Sequence, residues 1–282
     1  MSRVHTTRAR LGAGLGALVL ALGVLGACSG DEEPTAAPSE SASPTPAVAP
    51  AGPEVGECHD LAYADALSPT DTAEPVDCAG AHTSQTYAVG ELDTVVDGHL
   101  VAVDSAHVRE QVAAACPARL AKFVGGSEEA LRLSMIRPIW FSPTLEQSDA
   151  GHNWYRCDAV VLAGPEKFLP LTADLKGVLG TSEGRERFAL CSTGKPGTDD
   201  FSRVVCSAKH SWRAISTTTI KAGADGAWPG EKAARAAGES ACKAEAQDRA
   251  EDKLKFTWSY EWPSQEQWAA GTRHGTCWIP AS

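Results

Sequence analysis

Pro143-Thr144-Leu145-Glu146-Gln147 leads through Ala150-Gly151 to Cys157, and Pro263-Ser264-Gln265-Glu266-Gln267 leads through Ala270-Gly271 to Cys277. Pro, Glu, Gln, Ala, Gly and Cys recur at the same offsets, every one displaced by the 120 positions that separate Cys157 from Cys277. In both stretches a hydroxyl residue, Thr144 or Ser264, stands three places before Gln147 or Gln267, which is the pattern of a capping box opening a short helix. Gly151 or Gly271 then ends that helix. The repeat extends upstream, where Cys78-Ala79-Gly80-Ala81-His82 matches Cys206-Ser207-Ala208-Lys209-His210. The chain therefore reads as two copies of one module.

Alignment of the copies predicts the elements around these anchors. Gln85–Val89 and Trp212–Ile220 read as strands near the second cysteines, the latter rich in Thr, Ile and Trp. Ile136–Phe141 and Phe256–Trp262 read as strands before the short helices, and Trp154–Leu162 and Gly275–Ile279 as strands after them. Each copy has an alanine-rich helical middle. In the first, Val108, Val112, Cys116, Leu120 and Phe123 follow near-helical spacing, with Pro117 expected to kink or restart the helix. In the second, Pro229 suits the first helical turn and Ala233, Ala237, Ala241 and Ala244 suggest a narrow small-residue face. The expected fold is α+β: two tandem disulfide-stapled modules, each a small antiparallel sheet with one main helix and one short helix. Their bounds are 54–163 and 186–282, joined by a connector over 164–185.

The N-terminus sets the compartment. Arg3, Arg8 and Arg10 precede an apolar run from Leu11 to Ala27, a signal-peptide pattern too short and glycine-rich for a permanent membrane helix. Leu25-Gly26-Ala27-Cys28 resembles the lipobox of bacterial lipoproteins, which implies cleavage after residue 27 and acylation of Cys28. Residues 28–53, mostly Pro, Ala, Ser, Thr and acids, lack the apolar surface to fold and read as a disordered tether. The expected location is the extracytoplasmic face of the cell membrane. Loss of residues 1–27 removes three Arg and no acid, moving the net charge from −11 to −14. So acidic a chain does not suit nucleic acid.

Eight cysteines remain in an oxidising compartment: Cys58, Cys78, Cys116, Cys157, Cys191, Cys206, Cys242 and Cys277. Eight allow 105 connectivities. The repeated order favours pairing first to second and third to fourth within each copy. Zinc is the rival use of four cysteines and a histidine, but no C-x-x-C pair occurs and the first four cysteines spread from 58 to 157. No metal or other cofactor is expected. His82 and His210 are expected to hydrogen-bond backbone near the first bridge of each copy.

Val55-Gly56-Glu57-Cys58, Cys78 with His82, the helical cysteine, and Pro143-x-x-Glu146-Gln147 with Gly151 before Cys157 together resemble the septum-formation domain of actinobacterial envelope proteins. The second copy departs from the pattern, since Leu190-Cys191 lacks the Val-Gly-Glu lead. The resemblance implies a cell-envelope role near division or wall synthesis and brings no catalytic residues with it. Two enzyme-like matches occur. Gly180-Thr181-Ser182-Glu183-Gly184 fits the Gly-x-Ser-x-Gly elbow of hydrolases, which requires a preceding strand, and is read here as a flexible loop of the connector. Ser192-Thr193-Gly194-Lys195 fits Ser-x-x-Lys but lacks its partner motifs.

Six of eight tryptophans fall in the second copy, and Trp258, Tyr260 and Trp262 alternate with polar residues. With Trp268 they are candidate binding residues, either a platform for wall glycan or the core of the module. The reading favoured by the sequence is a non-enzymatic, lipid-anchored binding or scaffolding protein of the envelope whose partner is another envelope protein. The alternative is a wall glycan or peptide binder using those aromatic rings.

Overall fold

A computed structural model describes residues 51–281. The signal peptide, Cys28 and residues 28–50 of the tether lie outside the described residues. The first half runs β1 (Cys58–His59), β2 (Ser84–Glu91), a small hairpin of β3 (Val95–Val96) and β4 (His99–Leu100), then α1 (Ala106–Val124) and α2 (Glu128–Arg132). It continues through β5 (Ile136–Phe141), α3 (Leu145–Asp149), β6 (Trp154–Gly164) and β7 (Lys167–Phe168). The second half holds α4 (Ser182–Arg187), β8 (Leu190–Ser192), β9 (Arg203–Val205), β10 (Trp212–Thr219), α5 (Glu231–Arg249), β11 (Ser259–Glu261), α6 (Gln265–Ala269) and β12 (His274–Pro280). The fold is α+β with antiparallel sheets. No helix among the described residues is long and apolar enough to cross a membrane.

The two sheets share one plan. The first has the order β1-β2-β6-β5, with β7 beside β6, and the second β11-β12-β10-β8-β9. Reversed, the second order places β8, β10, β12 and β11 where the first has β1, β2, β6 and β5. Registers agree as well. Ala88 faces Cys157, which faces Trp140, and Ser216 faces Cys277, which faces Tyr260. A bulge lies between Thr86 and Ala88 in one sheet and between Ala214 and Ser216 in the other. An extra residue at the same place bends each central strand, so the two sheets curve alike around their helices.

Four bridges staple these parts: Cys58–Cys78, Cys116–Cys157, Cys191–Cys206 and Cys242–Cys277. The second and fourth tie α1 to β6 and α5 to β12, with Cα atoms 5.4 and 5.0 Å apart. Both short helices carry complete capping boxes, in which Thr144 or Ser264 accepts from the N–H of Gln147 or Gln267 and that glutamine's side chain accepts in return. Gly151 and Gly271 follow at φ of 97° and 98°, a region nearly closed to other residues.

Several sequence expectations are corrected. α1 runs unbroken through Pro117, and the position that completes its buried row is Val124, while Phe123 is half-buried and stacks on Tyr87. The buried row of α5 is Ala234, Gly238, Cys242 and Ala246, not the neighbouring alanines 233, 241 and 244, which are exposed. Cys242 decides this phase, because its bridge to Cys277 obliges it to face the sheet. Pro229 lies two residues before α5, with Gly230 as N-cap. Within the expected strand Phe256–Trp262, only Ser259–Glu261 pairs. Residues 180–184 are no loop: Thr181 caps α4 by accepting from Gly184, whose Cα is packed so tightly that a methyl there would meet the Val178 carbonyl oxygen at 1.9 Å.

Beside smaller clusters such as that of Ile215, Cys242, Ala246 and Tyr260 under α5, the main hydrophobic core passes through both halves. It joins Val108, Val112, Leu120, Ile136 and Val161 to Phe188, Leu190, Val205 and Trp278. Residues 164–185 belong to it, through Leu171, Leu175 and Leu179. Leu175 N–H donates to the Gln85 side chain (2.8 Å), and Gly177 N–H donates to the Phe123 carbonyl (2.8 Å). Backbone bonds cross between the halves as well. Met135 N–H donates to Phe188 (2.8 Å) and Leu190 N–H to Leu133 (2.9 Å), which closes the start of β5 onto the start of β8. Motion of one half against the other would break these bonds and open the core, so the junction is stiff.

Candidate functional site

That junction leaves a cleft of about 380 Å³ between α1, α2 and β5 on one side and β8, β9, α6 and β12 on the other. The accessible apolar residues of its wall are Pro117, Leu131 and Pro138, while Leu120, Ile136 and Leu190 border it but are buried. Its polar wall is basic. Arg132 ends α2, Arg137 stands on β5, Arg203 begins β9 and His274 begins β12. In a chain of net charge −11, this recess is lined by three arginines and by no Asp or Glu.

Two of the arginines are paired. Arg203 donates to Glu261 at 2.6 Å, and Arg132 donates to Glu128 at 2.9 Å one helical turn away. Arg137 has no carboxylate partner among the described residues. Its Nη1 donates to the carbonyls of Ser134 (2.9 Å) and Ile136 (2.7 Å), which orient the guanidinium without neutralising it. Burial, with Arg203 nearby, pushes its pKa down to about 10, so it stays charged at neutral pH. His274 is pushed down to about 4 by burial and then by Arg132, Arg137 and Arg203, so its ring is neutral there. The arrangement can hold an anion. Guanidinium groups suit carboxylate and phosphate oxygens, and the half-buried setting limits competition from water.

None of these four residues is singled out by sequence. They are drawn from four elements between positions 132 and 274. One trace is visible in the sequence, where His274 stands 120 positions after Trp154, the offset that separates Cys277 from Cys157.

The aromatic candidates divide. Tyr260 and Trp268 are core residues, with 7 % and 3 % of their surface exposed. The Tyr260 hydroxyl donates to the Ala234 carbonyl at 3.2 Å, and the Trp268 indole N–H donates to Gly226 at 3.1 Å. Trp258 and Trp262 are half-buried and, with the edge of Tyr260, line a shallow recess beside Lys195, Arg235 and Glu239. The four rings therefore form no continuous exposed row. His82 and His210 each set Nδ1 against a backbone carbonyl two residues earlier, that of Gly80 (3.0 Å) and of Ala208 (2.8 Å). Ser182 lies exposed in the first turn of α4 after a 3-10 turn, without the preceding strand of a nucleophile elbow. Ser192 is buried in β8 and donates to the Gly194 carbonyl. Among the described residues, no group of three or more His, Cys, Asp or Glu is placed to hold a metal ion.

A second charged assembly is structural. Arg156 reaches Asp71 at 2.6 Å and Asp158 at 3.0 Å, with its guanidinium 4.8 Å from the centre of the Phe141 ring. Thr86 donates to Asp158 at 2.8 Å. All three charges are buried, and together they fasten the segment around residue 71 to the middle of the first sheet.

No curated protein and no solved structure matches the chain. The family model described as septum formation matches residues 55–277, most of the chain, and the protein belongs to that family.

Proposed function

We propose that this protein is a non-enzymatic, membrane-anchored scaffold of the cell envelope that serves septum formation by holding a partner protein in the cleft between its halves. Two tandem copies of one module, fused through a shared core, are the architecture attached to this reading. The matching strand order, register, bulge and bridges support the duplication. Family membership supports the link to septation. The observation that carries the binding role is the cleft itself, a recess on a stiff junction lined by three arginines and by no Asp or Glu. A preformed site spends little of its binding energy on ordering itself. Anchoring through acylated Cys28 would keep the domain near the membrane, and the proline-rich tether would let it reach the growing septum. The glycan alternative has less support, because Tyr260 and Trp268 are committed to the core.

Photocrosslinking in the native cell tests the proposal. A photoreactive residue replacing Thr272, at the cleft, is expected to capture an envelope protein, while one replacing Leu254, 90 % exposed and outside the cleft, is not. Equal capture from both positions, or none from Thr272, would overturn the cleft as the docking site. Intact-mass measurement of membrane-extracted protein tests the anchor; an unmodified chain beginning elsewhere than Cys28 would remove it.

A further inference from the structure

The chemistry of the cleft narrows what it holds. Arg137 uses Nη1 on two backbone carbonyls, and its Nε and Nη2 have no protein acceptor among the described residues. Those two donors form the edge of the guanidinium that accepts a carboxylate side-on. No Asp or Glu lines the cleft, and Glu261 and Glu128 are paired with Arg203 and Arg132 rather than with Arg137. Beside this donor pair lies an apolar wall whose accessible residues are Pro117, Leu131 and Pro138. A bare phosphate would leave that wall idle. A volume of about 380 Å³ lies at the lower end of the range for small-ligand sites, which limits the occupant to a short segment.

We propose that the cleft binds a short acidic peptide segment of the partner, one carboxylate held side-on by Arg137 and an adjoining aliphatic side chain lying against Pro117, Leu131 and Pro138. This rests on the scaffold reading above and names the chemistry its partner must present. Neutral His274 in the same cleft presents a ring that can exchange a hydrogen bond with the peptide without adding charge. The overall negative charge of the chain disfavours acidic segments everywhere else, so the site also confers orientation.

The test is titration of the isotopically labelled, disulfide-intact protein with the peptide Ala-Leu-Glu at pH 7, following the Arg137 Nε–H and His274 ring resonances. Saturable shifts of both signals are expected, with none from the fully amidated peptide. Arg137→Lys keeps the charge but loses the fork, and is expected to weaken binding tenfold or more. Thr272→Glu, which places a competing carboxylate at the cleft without touching the core, is expected to do the same and guards against misfolding of the arginine variant. If inorganic phosphate moves the same resonances with equal affinity, the site is a general oxyanion site and the peptide assignment is overturned. If no peptide moves them, the acidic-segment proposal fails. Capture from Thr272 in cells would then still distinguish a scaffold with another ligand chemistry from no scaffold at all.

Discussion

Gly238→Ala in α5 sets two effects of opposite sign against each other. In an isolated helix, alanine is favoured over glycine by about 1 kcal/mol. In this fold, a methyl group at Gly238 would lie 2.3 Å from both Cε2 and Cζ of Tyr260 and 2.7 Å from its hydroxyl oxygen. The ring has no easy retreat. Its opposite contact is Gly275, where an added methyl would also come within 2.3 Å, and its hydroxyl is held by the Ala234 carbonyl. Overpacking a closed site of this kind costs about 1–3 kcal/mol. Net destabilisation of about 0–2 kcal/mol is therefore expected once the propensity gain is subtracted. Urea unfolding of the oxidised protein should show this as a lower midpoint at unchanged slope. Tyr260→Leu removes the ring, and in that background Gly238→Ala should become neutral or stabilising, a coupling of roughly 2 kcal/mol in the double-mutant cycle. Stabilisation by Gly238→Ala alone, or additivity of the two changes, would refute the reading of Gly238 and Tyr260 as a closed contact between α5 and the sheet.

Arg156→Ala should be among the most damaging substitutions of a charged residue, because it leaves Asp71 and Asp158 buried without their cation; a loss of about 3–5 kcal/mol in urea unfolding is expected, and a loss below 1 would place those acids in contact with water. Protonation of His274 opposes folding: its folded pKa is about 4 against an ordinary 6.5, so its contribution is complete above pH 6.5 and is lost as pH falls through the folded value. At face value that shift is about 3 kcal/mol, reduced to ~2 for a half-exposed ring. The stability difference between the native protein and His274→Gln should therefore narrow by that amount between pH 7 and pH 4, and a constant difference would contradict the burial of the ring. Replacing Cys242 and Cys277 together by Ala opens a loop of 35 residues and should cost about 4 kcal/mol, against about 3 for Cys191 and Cys206, whose separation is 15. Reversal of that order in thermal unfolding would mean that native-state contacts, not chain entropy, dominate.

The parts of the fold legible in sequence are those governed by near neighbours. Thr144 with Gln147 and Ser264 with Gln267 cap their helices through contacts three residues apart, and both boxes are present. The cysteine order, four in each half, leads to the four bridges observed. The phase of α5 was also within reach, since Cys242 marks the inward face and steps of four from it give Ala234, Gly238 and Ala246. Counting alanines conceals it, because alanine is equally at home exposed and buried on a helix.

What the sequence alone determined is therefore the α+β pattern, the residue pattern that recurs 120 positions apart and the family, because capping, periodicity and spacing are properties of short stretches and of residue identity. Tertiary structure alone decided that residues 164–185 enter the core, that both sheets close around shared side chains, and that Arg132, Arg137, Arg203 and His274 meet in one cleft. These four come from elements far apart in the chain, and the bonds between Leu133, Met135, Phe188 and Leu190 that bring them together depend on the completed sheets. No local pattern encodes such a meeting, since it follows from how two finished halves bury their remaining apolar faces against each other.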